Sequence, residues 1–134
     1  MEEILDKYPL LKYQNVSRET CVDFEKFIIE IKKRNEEINL ISKETAEQNI
    51  IRHRHISDSA QILDFIDLNN NIITDIGSGA GFPGIIVSIL VKNLKKKIKV
   101  RLYEKSHHKS AFLRKMSREL KLETEVIQKN IFEI

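Results

Sequence analysis

The chain has one cysteine, no tryptophan, two prolines and four glycines in 134 residues. The single cysteine, Cys21, excludes an internal disulfide and suits a reducing compartment. It lies on the apolar face of a helix-patterned segment, so it reads as core rather than as a nucleophile. No apolar run approaches the roughly 18–20 residues of a membrane span. Met1-Glu2-Glu3 is an acidic start without the basic residues and apolar core of a signal peptide, so a soluble, cytoplasmic chain is expected. Repeats, low-complexity tracts and linkers are also lacking. The expectation is one domain over 1–134, helical through residue 70 and β-α-β-α-β from residue 71.

Histidine is scarce as well, with four in the chain. His53 and His55 are two apart and cannot share a helical face, so no metal site is expected. His107-His108 reads as part of a basic helix start.

Charge is not scarce but is unevenly placed. From Lys92 to Lys121 there are twelve Lys and Arg against Glu104 and Glu119, a net of +10 that leaves −7 for the rest of a +3 chain. A solvated face ordinarily interleaves the signs, so a block this one-sided favours a polyanion, with RNA or DNA the usual candidate. Lys95, Lys96, Lys97, Lys109 and Arg114 are the residues expected to face it.

In chain order, Tyr8-Pro9 breaks a short opening arm. Ser17 can cap a helix running to about Glu37, in which Cys21, Phe24, Ile28, Ile31 and Ile38 recur at helical spacing and face the sheet further on. Thr45 and Gln48 form a capping box. Asp58 can cap a helix from Ser59 to Ile66 that buries Ile62, Leu63 and Ile66. Ile72 to Ile76 reads as a strand, Ile85 to Val91 as a helix begun by Pro83, and Ile98 to Tyr103 as a second strand stopping at Glu104. Ser106 caps a helix through Leu120, and Thr124 to Gln128 is a third strand. The alternation predicts a parallel α/β sheet with its ligand at the carboxyl ends of the strands.

All four glycines fall within Gly77 to Gly84, between the first strand and its helix. A phosphate-cradling loop would close on Gly-Lys-Ser/Thr, and Gly81-Phe82-Pro83-Gly84 has no lysine. A dinucleotide fingerprint begun at Gly77 needs a third glycine at position 82, which is Phe. What stands is Asp75-x-Gly77-x-Gly79-x-Gly81, the loop typical of S-adenosylmethionine methyltransferases. That ligand has no pyrophosphate and needs close backbone approach, which glycine permits. Glu104, at the end of the second strand, is placed to accept both ribose hydroxyls.

Asn39-Leu40-Ile41-Ser42, Arg54-His55-Ile56-Ser57-Asp58-Ser59-Ala60-Gln61, Asp75 to Gly84 and Phe112-Leu113-Arg114 together resemble the bacterial small-subunit ribosomal RNA guanine-N7 methyltransferase family. This family is also known as the glucose-inhibited division protein B family. The resemblance runs from about Phe24 to the last residue. It implies the first half of a Rossmann-like methyltransferase sheet, S-adenosylmethionine as cofactor, and methyl transfer to N7 of one guanine in small-subunit ribosomal RNA. Gly77 and Phe82 match positions of the family that contact the cofactor. Ile131 and Phe132 match a place near the adenine, where Phe132 replaces the family's usual Glu. His55, Asp58 and Ser59 match motif residues beside the cofactor loop. No catalytic base is implied. The family's tryptophans near Arg34 and Arg52 are absent here.

The family's sheet has seven strands and this chain supplies three, so the resemblance implies a C-terminally truncated form. Ile72, Ile73 and Ile76 would then lie on an unpaired edge. Three alternatives stand: a methyltransferase completed by another polypeptide or a longer product, an inactive remnant, or an RNA-binding module.

Overall fold

The computed structural model describes residues 17–37, 58–59, 62 and 66–130. Helix α1, Arg18–Asn35, begins at Ser17, whose backbone is extended (φ −74, ψ 161) and whose hydroxyl accepts the Thr20 N–H at 3.2 Å. Glu19 in the first turn and Lys32, Lys33 and Arg34 in the last match the helix dipole at both ends. The helix ends two residues short of the expected boundary, with Glu36 as its C-cap. Cys21, Phe24, Phe27, Ile28 and Ile31 are fully buried. Phe27 is the core ring that the spacing argument passed over. It lies 5.5 Å from the Phe82 ring and 6.3 Å from that of Phe112. Burial pushes the Cys21 thiol up to about 11, with Glu25 adding to the effect, so it is an inert core group.

Strands β1 (Ile72–Ile76), β2 (Lys99–Glu104) and β3 (Thr124–Gln128) form a parallel sheet in the order β1-β2-β3. Helices α2 (Gly84–Asn93) and α3 (His107–Glu119) make the crossovers. Two right-handed crossovers stepping in one direction place both helices on the same face, and the two helices touch. Asp75 lies opposite Leu102 and Leu102 opposite Val126, while Ile76, Tyr103 and Ile127 form the next row. Strand alternation therefore turns Ile73, Asp75, Val100, Leu102, Glu104 and Val126 toward the helices.

Helix α2 is buried at every position from Gly84 to Val91. A helix apolar all round needs cover on all sides, and α1 supplies it opposite the sheet. The expectation that α1 packs on the sheet is thus corrected: its principal neighbour is α2. The Ser17 N–H and the Thr20 hydroxyl donate to Asn93 Oδ1 at 3.2 and 2.9 Å, and Lys92 pairs with the buried Asp23 at 3.0 Å. Lys115 of α3 reaches Glu30 at 2.8 Å.

Among the described residues β1 pairs on one side alone, as expected, and leaves Ile72 44% and Ile76 58% exposed. Two further corrections concern the segment before it. Asp58 and Ser59 both have helical backbone, so Asp58 lies within a helix and not at its N-cap. Ile62 is 36% exposed rather than buried, while Ile66 packs on the core. The Thr45–Gln48 capping box, His53, His55, Leu63 and Ile38 lie outside the described residues.

Candidate functional site

The loop after β1 is built on Asp75. Pro83, at the N-cap of α2, has no side chain to cap the helix, and the Asp75 carboxylate takes that role by accepting the Gly84 N–H at 3.1 Å. Burial raises the Asp75 pKa above the ordinary carboxylate value, and hydrogen bonding with Ser78 and Gly84 pulls it partly back. The close approach accounts for Gly84: a Cβ there would stand 2.5 Å from Asp75 Oδ2 and 2.4 Å from Leu102 Cδ2. Gly81 has φ +105, and a Cβ there would meet Ile85 Cγ1 at 2.6 Å.

Backbone hydrogen bonds tie the loop to β2. The N–H groups of Gly77 and Ser78 both donate to the Tyr103 carbonyl at 2.9 Å. Glu104 is 7% exposed, and its carboxylate joins two elements. Oε1 accepts the Gly79 N–H at 2.9 Å, and Oε2 accepts the Ser106 N–H at 2.7 Å, immediately before α3. The Glu104 carbonyl accepts the Ser110 hydroxyl and the Lys129 N–H, each at 3.1 Å. The carboxylate is therefore fixed in direction, and each oxygen keeps a further lone pair for a hydroxyl donor.

Gly77, Gly79 and Glu104 are thus brought together at the carboxyl ends of the strands. A cleft of about 180 Å³ opens there, lined by Ile76, Gly77, Tyr103, Glu104, Lys105, Lys129 and Asn130. The space where a Gly77 side chain would stand is empty to 4 Å. This volume is below the roughly 300–1,000 Å³ of sites that enclose a drug-sized ligand, so the cleft suits one part of such a molecule. Phe82 is half-buried with its ring against Phe27, which makes it a packing group between loop and α1. Ile131 and Phe132 lie outside the described residues, directly after Asn130.

Sequence reasoning missed Ser106, Ser110 and the Tyr103 carbonyl as supports of this arrangement. Ser106 was legible as a helix cap, and its hydroxyl does accept the Lys109 N–H at 3.3 Å. Its second role, through its own N–H to Glu104, depends on the tertiary turn and has no side-chain signal.

Lys105 and Lys129 line this cleft, but none of the five residues expected to face a polyanion does. Lys95, Lys96 and Lys97 line a larger concavity of about 480 Å³ at the amino ends of β2 and β3. It lies at the far end of β2, roughly 17 Å away at about 3.3 Å per residue from Lys99 to Glu104. Lys109 and Arg114 are on α3, half-buried and exposed respectively. Among the described residues there is no cluster of three or more His, Cys, Asp or Glu that could share a metal ion. None of the helices they form is long and apolar enough to cross a membrane.

Comparison with known proteins adds a family. A family model described as rRNA small subunit methyltransferase G matches residues 20–133. A ribosomal RNA small subunit methyltransferase G of Pelagibacter ubique is 67% identical over 133 residues, covering 99% of this chain and 62% of that protein. Proteins of the same name from Cereibacter sphaeroides and Orientia tsutsugamushi are 36% and 41% identical, over 91% and 87% of this chain and 58% and 56% of theirs. The chain therefore spans little more than half the length of the curated relatives it matches.

Proposed function

The chain belongs to the rRNA small subunit methyltransferase G family, and from that premise we propose that it carries the cofactor-binding half of an enzyme that methylates N7 of a guanine in small-subunit ribosomal RNA, with S-adenosylmethionine as methyl donor. The observation that carries this reading is the Glu104 carboxylate held against the glycine loop at the carboxyl ends of parallel strands.

When bound, S-adenosylmethionine supplies an electrophilic methyl group. Glu104 accepts hydrogen bonds from the ribose hydroxyls with the lone pairs that Gly79 and Ser106 leave free. Gly77 and Gly79 let the tail lie against the backbone, and Phe82, whose ring rests against Phe27, is a further contact of the loop with the cofactor. Ile131 and Phe132 are the two positions that the family resemblance assigns to the adenine. Guanine N7 has an in-plane lone pair and no proton to lose, so no residue has to act as a base. The protein's share of the chemistry is placement. Lys95, Lys96, Lys97, Lys109 and Arg114 hold RNA phosphates, and with a ribosomal substrate the work is cytoplasmic.

Calorimetric titration of the chain with S-adenosylmethionine, followed by transfer of labelled methyl to small-subunit RNA, tests this reading. Saturable heat and labelled N7-methylguanine are expected. Absence of both sinks it. A second reading, an RNA-binding piece without catalysis, rests on the one-sided pairing of β1; RNA binding without heat or label would select it. Transfer that appears only when a second polypeptide is added would assign that polypeptide to the open side of the sheet.

A further inference from the structure

We propose that the concavity at the amino ends of β2 and β3 is a second RNA-binding site, a phosphate grip remote from the cleft that holds the cofactor loop. The inference rests on the RNA-methylating function proposed above and adds a place on the molecule to it.

Six lysines line this one concavity: Lys92, Lys95, Lys96, Lys97, Lys99 and Lys121. Lys92 is committed elsewhere, to Asp23 at 3.0 Å and the Leu120 carbonyl at 2.9 Å. Lys99 has Glu125 at 3.9 Å. Lys95, Lys96, Lys97 and Lys121 are exposed and, among the described residues, none has its ammonium group within ion-pair distance of a carboxylate. Glu123 is the one acidic residue in the lining.

The plainest counter-reading is that lysines gather here because α2 and α3 both end here and helix C-termini attract cations. The magnitudes go against it as a full account. Two helix ends present together about one negative charge, and Glu19, Asp23, Glu123 and Glu125 supply four more, with Glu125 shared by Arg101, which leaves roughly two of the seven positive charges (six lysines and Arg101) uncompensated. The backbone adds an independent sign. Lys95 and Lys121 directly follow the C-caps Leu94 and Leu120 with φ of 56 and 55, the left-handed position that glycine ordinarily fills after a helix. Both positions carry lysine in a backbone that L side chains adopt at a cost.

Four free ammonium groups around an open hollow fit a run of backbone phosphates better than one buried anion. Such contacts position RNA without reading its sequence. Because the grip is at the other end of the sheet from the cleft, it can hold RNA that extends past the target base without competing for that base.

The test compares two variants of the full chain, each with four cations removed. Lys95→Gln, Lys96→Gln, Lys97→Gln and Lys121→Gln are combined in one. Arg18→Gln, Lys26→Gln, Lys32→Gln and Lys33→Gln, all at exposed positions of α1, are combined in the other as a control. Affinity for a single-stranded RNA oligonucleotide is measured across a KCl series. With about 0.7 of salt slope per phosphate contact in single strands, the pocket variant should lose up to about 3 of slope and roughly 100-fold in affinity near 0.1 M. Calorimetric affinity for S-adenosylmethionine should stay unchanged in it. Equal losses in the two variants would overturn the grip while leaving the methyltransferase reading standing, as would a wild-type chain that binds cofactor but no RNA. Tighter binding to polyglutamate than to RNA of equal charge would reassign the pocket to an acidic protein and overturn it too. Loss of cofactor binding in wild type speaks instead against the function proposed above. As a readout independent of variant folding, RNA should protect Lys95, Lys96, Lys97 and Lys121 of the wild-type chain from acetylation and leave Lys26, Lys32 and Lys33 reactive; equal labelling with and without RNA refutes the contact.

Discussion

Replacing Glu104 with Gln removes a charge without changing the side chain's size, and the geometry sets the cost. The two carboxylate oxygens accept one backbone N–H each, from Gly79 at 2.9 Å and Ser106 at 2.7 Å. A glutamine amide offers one oxygen and one NH2 group, so either way round it leaves one of those N–H groups facing another donor. Losing a hydrogen bond to a charged, nearly buried acceptor costs about 1.5–3 kcal/mol. The stranded N–H belongs either to the glycine loop or to the turn that opens α3. E104Q is therefore expected to lose about 2–3 kcal/mol of stability, read from the urea midpoint with the slope unchanged. If the same carboxylate also takes the ribose hydroxyls, the calorimetric affinity for S-adenosylmethionine falls at least about tenfold, or roughly 1.4 kcal/mol. A variant within about 0.5 kcal/mol of wild type would refute the two-donor bridge. Normal stability loss with unchanged cofactor affinity would keep the bridge and remove Glu104 from the cofactor site.

Three more perturbations probe the loop, its buried acid and the open strand. Gly84→Ala would ordinarily favour a helix by roughly 1 kcal/mol; here the contacts at 2.4 and 2.5 Å reverse the sign, and a thermal melt should show a net loss of about 1–3 kcal/mol. The Asp75 pKa is raised in the folded state, so between the ordinary value of 3.8 and the folded value the folded chain holds more protons than the unfolded one. Stability from this group is greatest below that window and falls as pH rises through it; the urea midpoint of wild type minus that of Asp75→Asn should therefore decline from acid to neutral pH, and a rising difference would contradict the burial argument. Ile72→Lys with Ile76→Lys alters exposed side chains on the open strand, so sedimentation velocity should show less concentration-dependent association with stability within about 0.5 kcal/mol of wild type; undiminished association would clear this edge of responsibility.

What could be read from the residues alone was whatever local chemistry dictates. Ser17 and Ser106 announced their helices because a hydroxyl at that position has one good use, and both cap as expected. Thr124 to Gln128 reads as a strand and is one. The crowded glycines marked a close backbone approach, and their place after a strand marked the ligand end of the sheet. The sites that long-range packing governs were not legible in this way. Phe27 sits at helical spacing like its neighbours, yet its standing between Phe82 and Phe112 depends on three elements meeting. Ile62 looks like a core residue and is exposed, because periodicity states which residues share a face and not whether anything covers it.

The same division holds at the two ends of the sheet. Composition and order determined by themselves that the chain has a one-sided basic segment and a glycine loop followed by an acid at the next strand's end. Only the tertiary structure decided that the start of the basic segment and the glycine loop lie at opposite ends of β2, with Glu104 against the loop and Lys95 to Lys97 in the other hollow. The reason is geometric. A parallel strand must return to its starting end through a crossover, so residues close in the chain, such as Lys99 and Glu104, are carried a full strand length apart, while Gly79 and Glu104, twenty-five positions apart, come within a hydrogen bond.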